Sequence, residues 1–439
     1  MNKTTGSRTI PSGAGLALTT LALLALLASA AAGEDQSLAE QIGQYAAAYD
    51  GAGQLSGQLA VAKGGQLLAE LEFGDVERAD RFAVTSVTKP LTIALTVLLE
   101  ADGKLSRNDP LERWLPDFPH GEELQVKHLL YHRAGLPHRV TTPDQENRRW
   151  TASQIADLAA KVGPQGDVPA KRSYSSAGFA VLARVLERAG GAPYSELLRE
   201  RVLKPAGAEG ACDATTDGCS PTRASFTFGA GGEVVDMPEK DFSFLVGGGS
   251  LIAGARDVLR VQRAVVDGVY GEAVRAALLR LGKMSWNGSS NGYRAVATYD
   301  KSSDVSVVLV GNLSTGAINP LLSAAARLAA GEQVEPARFE LPEFVALDEA
   351  ALQAVVGTYE LPPTMAFELR DGVIWANEWP LIPVAPAEGD TLRLHSVNDY
   401  AVIVPIFAAD GSVEAIDWRR GGRSSVSPRL DGEGGGGVP

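Results

Sequence analysis

The feature that most constrains this chain is where its strand-forming segments stand. Two of them, Gly57 to Lys63 and Leu67 to Phe73, lie near the start and are joined at Gly64-Gly65, while 292–299 and 304–312 lie far downstream. Paired glycines between apolar runs read as a hairpin connection. Between the two groups the pattern turns helical, over 86–102, 124–132, 152–162, 176–189, 193–202 and 255–267. Further helical stretches, 36–50 and 316–330, flank the strands. Strands that open and close a region filled with helices predict an α+β fold, an antiparallel sheet with a helical insertion. This larger domain is expected over 33–333.

Composition shifts near residue 333. An acidic, Pro-containing linker, 333–346, leads into short strands at 355–360, 366–377, 391–397, 401–408 and 412–419, with turn signals at Asp371-Gly372 and Asp410-Gly411. These predict a separate small β domain over 347–420. The Gly- and Ser-rich tail, 421–439, is expected to be disordered. At the other end, Lys3 and Arg8 precede an apolar run over 14–28, then Ala30-Ala31-Ala32 and Glu34-Asp35. That is the layout of a secretory signal peptide, 1–32, removed on export to a periplasmic or secreted location. The run is short for a membrane span.

A formal net charge of -13 argues against a nucleic-acid partner, since an acidic surface repels phosphates. The two cysteines, Cys212 and Cys219, are near enough to bridge in an oxidising compartment. Two thiols without a nearby His do not complete a zinc shell, so no metal is expected. Nothing in the sequence fixes an oligomeric state.

Three segments suggest chemistry. In Ser86-Val87-Thr88-Lys89, followed by Pro90, a hydroxyl and an amine lie one turn apart on one helix face. The amine serves as a base for the hydroxyl if burial or positive neighbours hold it neutral. In Tyr174-Ser175-Ser176, ahead of an apolar helix, a phenol stands ready to relay protons. In Trp286-Asn287-Gly288-Ser289-Ser290-Asn291-Gly292-Tyr293, Gly288 is expected to clear room for a substrate carbonyl beside a strand. The N–H of Ser289 and that of Ser86 are then the oxyanion donors. Each segment alone also has a bland reading, as an exposed helix start, a packed Tyr and a polar hairpin.

Six ordered segments carry a family resemblance. Phe82 to Pro90 resembles the nucleophile segment of class C-type beta-lactamase-related serine hydrolases, of the beta-lactamase and penicillin-binding-protein superfamily. Gly103-Lys104-Leu105-Ser106 with Leu115 to Pro119 is similar to the connector that follows it, and His128 to Pro137 to the family's HLLTHTSGLP segment. Tyr174 to Gly178, Gly248 to Asp257, and Trp286 to Tyr293 match in turn, so the resemblance covers about 36–330. The region around Val356-Gly357-Thr358-Tyr359 is similar to the lipocalin-like domain often appended to such hydrolases.

The resemblance implies a beta-lactamase/transpeptidase-like fold and acyl transfer through an acyl-serine. Ser86 would be the nucleophile, Lys89 the base and Tyr174 the relay, with Ser176, Trp286, Gly288 and Ser289 around the substrate. No cofactor or metal is implied, and the partner is a small acyl substrate or a cell-wall-type peptide. His128, His132 and His138 are expected to serve packing and loop structure. Two positions depart from the family, Ser176 for its Asn and Trp286 for its Lys or His. The second removes a cation that would steer a substrate carboxylate, for which Arg172, Lys283 and Arg294 are candidate replacements. The departures tilt the expectation toward an esterase or D-amino-acid peptidase and away from efficient beta-lactamase action. They also leave a second reading, a catalytically weak or inactive penicillin-binding or peptidoglycan-binding relative.

Overall fold

In the computed structural model, which describes residues 36–430 except 361–363, 378, 388–389 and 391, the four anticipated strands join a fifth in one antiparallel sheet. They are β1 (Gly57–Lys63), β2 (Gln66–Phe73), β3 (Lys283–Ser290), β4 (Tyr293–Asp300) and β5 (Val305–Gly311), in the spatial order β2-β1-β5-β4-β3. The signal peptide expected over 1–32 lies outside the described residues. β1 and β5 pair from Gly57↔Gly311 to Lys63↔Val305, so segments from opposite ends of the domain share the sheet centre. β3 was not anticipated. It is the third motif itself, and its polar residues hide a strict alternation in which Met284, Trp286, Gly288 and Ser290 are buried.

Period-two alternation sorts the central strands between two cores. Leu59, Val61, Val307 and Leu309 face helices α1 (Leu38–Gly51) and α4 (Ile318–Ala330), whereas Ala60, Ala62, Val308 and Val310 face the helical region. A capping box between Ser37 and Glu40 starts α1. The helical region contains α2 (Thr88–Ala101) and α3 (Ser176–Gly190), together with Ala152–Val162, Ala255–Val266 and an unanticipated helix, Glu272–Leu278. Cys212 and Cys219 are disulfide-bonded there.

Downstream, eight antiparallel strands follow one another from Gly357–Tyr359 to Arg423–Pro428 around Phe367, Ile374, Leu381, Leu394, Ile403 and Ile416. Tyr359 bridges Arg429, so the first and last strands meet and the sheet is nearly a closed barrel. The expectation of a disordered tail from residue 421 is corrected here. Gly421 and Gly422, at φ 55° and 75°, form a tight hairpin that returns Arg423–Pro428 along Val413–Arg420. Residues 431–439 lie outside the described residues. The barrel docks on the larger domain through Tyr400, whose ring lies 6.4 Å from that of Tyr49 and whose hydroxyl donates to Gln54 Oε1 at 3.1 Å.

Candidate active site

Ser86 sits in a single 3₁₀ turn, Thr85–Val87, that runs directly into α2. Lys89 follows one turn later and is 5% exposed. Its Nζ lies 3.1 Å from Ser86 Oγ, 3.1 Å from Ser176 Oγ and 2.7 Å from the Gly248 carbonyl oxygen. Burial, assisted by the positive charge of Arg139, pulls this amine down to about 7. The Tyr174 hydroxyl donates to Ser86 Oγ at 2.8 Å. Burial raises the phenol above its ordinary value, which keeps it a donor. The structure thus brings Ser86, Lys89, Tyr174 and Ser176 together from separate parts of the chain.

The segment around His132 and His138 holds Tyr174 in place. Their rings lie 4.7 Å and 5.4 Å from the Tyr174 ring. His132 Nδ1 accepts from the Ser175 N–H at 3.2 Å, and the His138 carbonyl accepts from the N–H groups of Ser176 and Ala177. Ser175 caps α3 by accepting from the Gly178 N–H and donates to the Pro137 carbonyl. Burial pushes both imidazoles down to about 4, so they are neutral near pH 7. His128 Nδ1 accepts from the Gln125 N–H at the start of its own helix. These are the packing and loop roles expected of the three histidines.

β3 is an edge strand of the sheet, and the Ser86 turn packs against it at Gly288. The direction of each N–H follows from the ladder. Lys301 N–H donates to the Gly282 carbonyl, while Lys283 exchanges bonds with Arg280 on the other side. Alternation then turns the N–H groups of Ser285, Asn287 and Ser289 off the sheet edge. The two-residue turn at Asn291-Gly292, φ 50° and 78°, sets the same parity from the other end.

Two expectations are corrected at this strand. A Cβ at Gly288 would collide with Thr85 Oγ1 and the Val84 carbonyl and lie 2.9 Å from Ser86 N. The room at Gly288 therefore admits the nucleophile turn, not a substrate carbonyl. Trp286 shares the inward face of β3 and is sealed in the main core at 6% exposure, a packing position. Of the candidate replacement cations, Lys283 pairs with Asp300 at 3.0 Å and Arg294 donates to Asn287 Oδ1 at 3.3 Å. Arg172 differs, since its charge acts on His132 and Tyr174 at the site.

The sequence reading missed Arg139, whose Nη2 donates to Ser290 Oγ at 3.1 Å and whose charge acts on Lys89. It stands just beyond the His128–Pro137 segment, and nothing local marks it. The Gly248 carbonyl was also missed, because a backbone acceptor leaves no trace in residue type. Among the described residues, no cluster of His, Cys, Asp or Glu is arranged to hold a metal.

Comparison with known proteins adds a family and a fold. The family model described as Beta-lactamase matches residues 38–331. The putative penicillin-binding protein PbpX of Bacillus subtilis (strain 168) is 26% identical over 292 residues, 60% of this chain and 72% of the relative. The D-amino acid amidase from Ochrobactrum anthropi SV3, solved with L-phenylalanine amide, superposes with a TM-score of 0.58 at 21% identity, covering 67% of this chain and 98% of that one. The crystal structure of SurE superposes with a TM-score of 0.55 at 21% identity over 90% of this chain and 99% of its own.

Proposed function

Because this chain belongs to the Beta-lactamase family, we propose that it is a serine hydrolase acting through an acyl-serine at Ser86. One observation carries the reading: the Lys89 amine, held to about 7, touches Ser86 Oγ while two other oxygens engage it. A neutral amine has two N–H donors and one lone pair. The Gly248 carbonyl and Ser176 Oγ take the donors, which leaves the lone pair facing the Ser86 hydroxyl. As Oγ attacks the acyl carbon, its proton passes to Lys89 Nζ. Tyr174 gives its own proton to the departing group and recovers one from the Lys89 ammonium. Water reverses these transfers and releases the acid. The N–H groups of Ser86 and Ser289 are the proposed donors to the oxygen that turns negative.

The substrate class is an ester or D-aminoacyl amide, including cell-wall-type peptides, in preference to beta-lactams. Supporting this is the fold shared with a D-amino acid amidase. Export is part of the proposal, motivated by residues 1–32 and by the Cys212–Cys219 bridge, which suits an oxidising compartment. The test is to offer a p-nitrophenyl ester, a fluorophosphonate and a chromogenic cephalosporin, and to map adducts by mass. The expected result is ester turnover and a label on Ser86, both lost in Ser86→Ala. A protein that neither turns over nor takes a label is instead a non-catalytic penicillin-binding relative.

A further inference from the structure

The chain carries a formal net charge of -13, yet the field at the site has the opposite sign. Among the described residues, the charges that act on Lys89, Tyr174, His132 and His138 belong to basic groups. Arg139 acts on Lys89 and His138, Arg172 on Tyr174 and His132, and Lys89 on both imidazoles. A cleft of one sign concentrates ligands of the other.

Of these cations, Arg139 is built into the wall of the site. It directly follows His138, whose ring lies 5.4 Å from that of Tyr174. Its Nη2 donates to Ser290 Oγ at 3.1 Å, and its guanidinium lies 5.7 Å from the Phe244 ring centre. Its Nη1 stands 3.4 Å from Glu146 Oε1, but Glu146, 1% exposed, is held more closely by Lys240 Nζ at 2.7 Å. Glu146 therefore stays paired when Arg139 engages another anion. The Arg139 side chain is 22% exposed, so the guanidinium is braced and still open to solvent. Its fork of five N–H donors serves several acceptors at once and matches a carboxylate.

The position along β3 fixes what Arg139 can read. Ser290 shares the inward face of β3 with Gly288, the residue that meets Ser86 N. Two strand residues span about 6.6 Å. Arg139 thus stands a short acyl chain away from the nucleophile, past Ser289 and its proposed oxyanion N–H. The departing group lies toward Tyr174, which protonates it. An acyl chain that runs along β3 leads instead to Arg139.

We propose that Arg139 is a specificity-determining residue that pairs with a negative group at the far end of the substrate's acyl chain. The preferred acyl groups then end in a carboxylate, as in the half-ester of a dicarboxylic acid or an acidic aminoacyl group. The proposal rests on the serine-hydrolase reading and names a substrate class within it.

The experiment measures kcat/KM for mono-p-nitrophenyl adipate and p-nitrophenyl adipamate, which share a leaving group and differ in a terminal carboxylate or carboxamide. Full-length wild type, Arg139→Gln and Arg139→Lys are compared. Because Arg139 also acts on Lys89, and so on every ester, the readout is the ratio of the two values. Wild type is expected to favour the carboxylate, R139Q to lose that preference by roughly 10- to 100-fold, and R139K to keep part of it. The wild-type ratio is also expected to shrink as salt is raised to about 1 M, which needs no variant. An equal ratio in wild type and R139Q overturns the proposal, as does a wild-type preference for the carboxamide. An Arg139-dependent preference for 4-acetoxybenzoate over 4-acetoxybenzamide, with none between the adipoyl esters, places the anion on the leaving group and also overturns it. Wild type that is labelled on Ser86 by a fluorophosphonate but shows no preference overturns this proposal alone. Wild type that takes no label overturns the hydrolase reading and this proposal with it.

Discussion

At the scale of single residues, Lys89 carries a conflict between stability and chemistry. In the unfolded chain its amine stays protonated up to the ordinary value of 10.5, whereas the folded site releases the proton near 7. Between those limits the unfolded state holds the extra proton, so Lys89 lets stability rise with pH; below 7 both states are charged and the full cost of burying the cation remains. Lys89→Met is therefore expected to melt higher than wild type at about pH 6, by a few kcal/mol at most, with the gap closing as pH rises toward 10.5. Thermal melts across that range check this, and a constant gap contradicts it. The same proton governs rate. Ester kcat/KM should fall about tenfold per pH unit below 7, and Lys89→Ala should lose several orders of magnitude. A pH profile flat from about 5 to 8 would remove Lys89 as the base.

At the scale of elements, the loop between Cys212 and Cys219 is tied to the back of the site. Asp213 accepts from Ser250 Oγ and Thr215, Ser250 Oγ accepts from the Gly247 N–H, and the next carbonyl, Gly248, holds Lys89. The bridge closes a loop of sequence separation 7, for which chain entropy suggests roughly 2–3 kcal/mol. Replacing both cysteines with Ser should lower the denaturant midpoint by a corresponding amount. Unfolding curves indistinguishable from wild type would show that the loop keeps its shape without the bond. β3 makes a related point. Its residues, Asn, Gly and Ser among them, read as a turn in isolation, yet pairing with β4 makes them a strand.

At the scale of the whole molecule, burial of three imidazoles couples both domains to acid. His132 and His138 in the site, and His395 in the barrel, are each held down to about 4 by burial. An unfolded imidazole protonates near 6.5, so between about 6.5 and 4 the unfolded state binds the additional protons and stability falls as pH falls. Each contributes up to about 1.4 kcal/mol per pH unit. His395→Phe should flatten this dependence by about one proton, read from urea unfolding at several pH values. A slope equal to that of wild type would mean that His395 is not buried as a neutral ring.

The sequence by itself marked four of the five strands of the main sheet, most of the helices between and beside them, and the pairing of Ser86 with Lys89. Hydrophobic period and a one-turn spacing are local quantities, written wherever the chain folds. It also marked Tyr174 and Ser176 as candidates, through resemblance. Only the tertiary structure decided that Tyr174 reaches Ser86 across a separation of 88 residues, that Arg139 acts on Lys89, that Gly288 serves the nucleophile turn, and that the expected tail returns as a strand. Each depends on which surfaces pack when α2, α3 and β3 converge or when the barrel closes. Packing of that kind is set by long-range complementarity of shape and burial, for which no local pattern exists in a single chain.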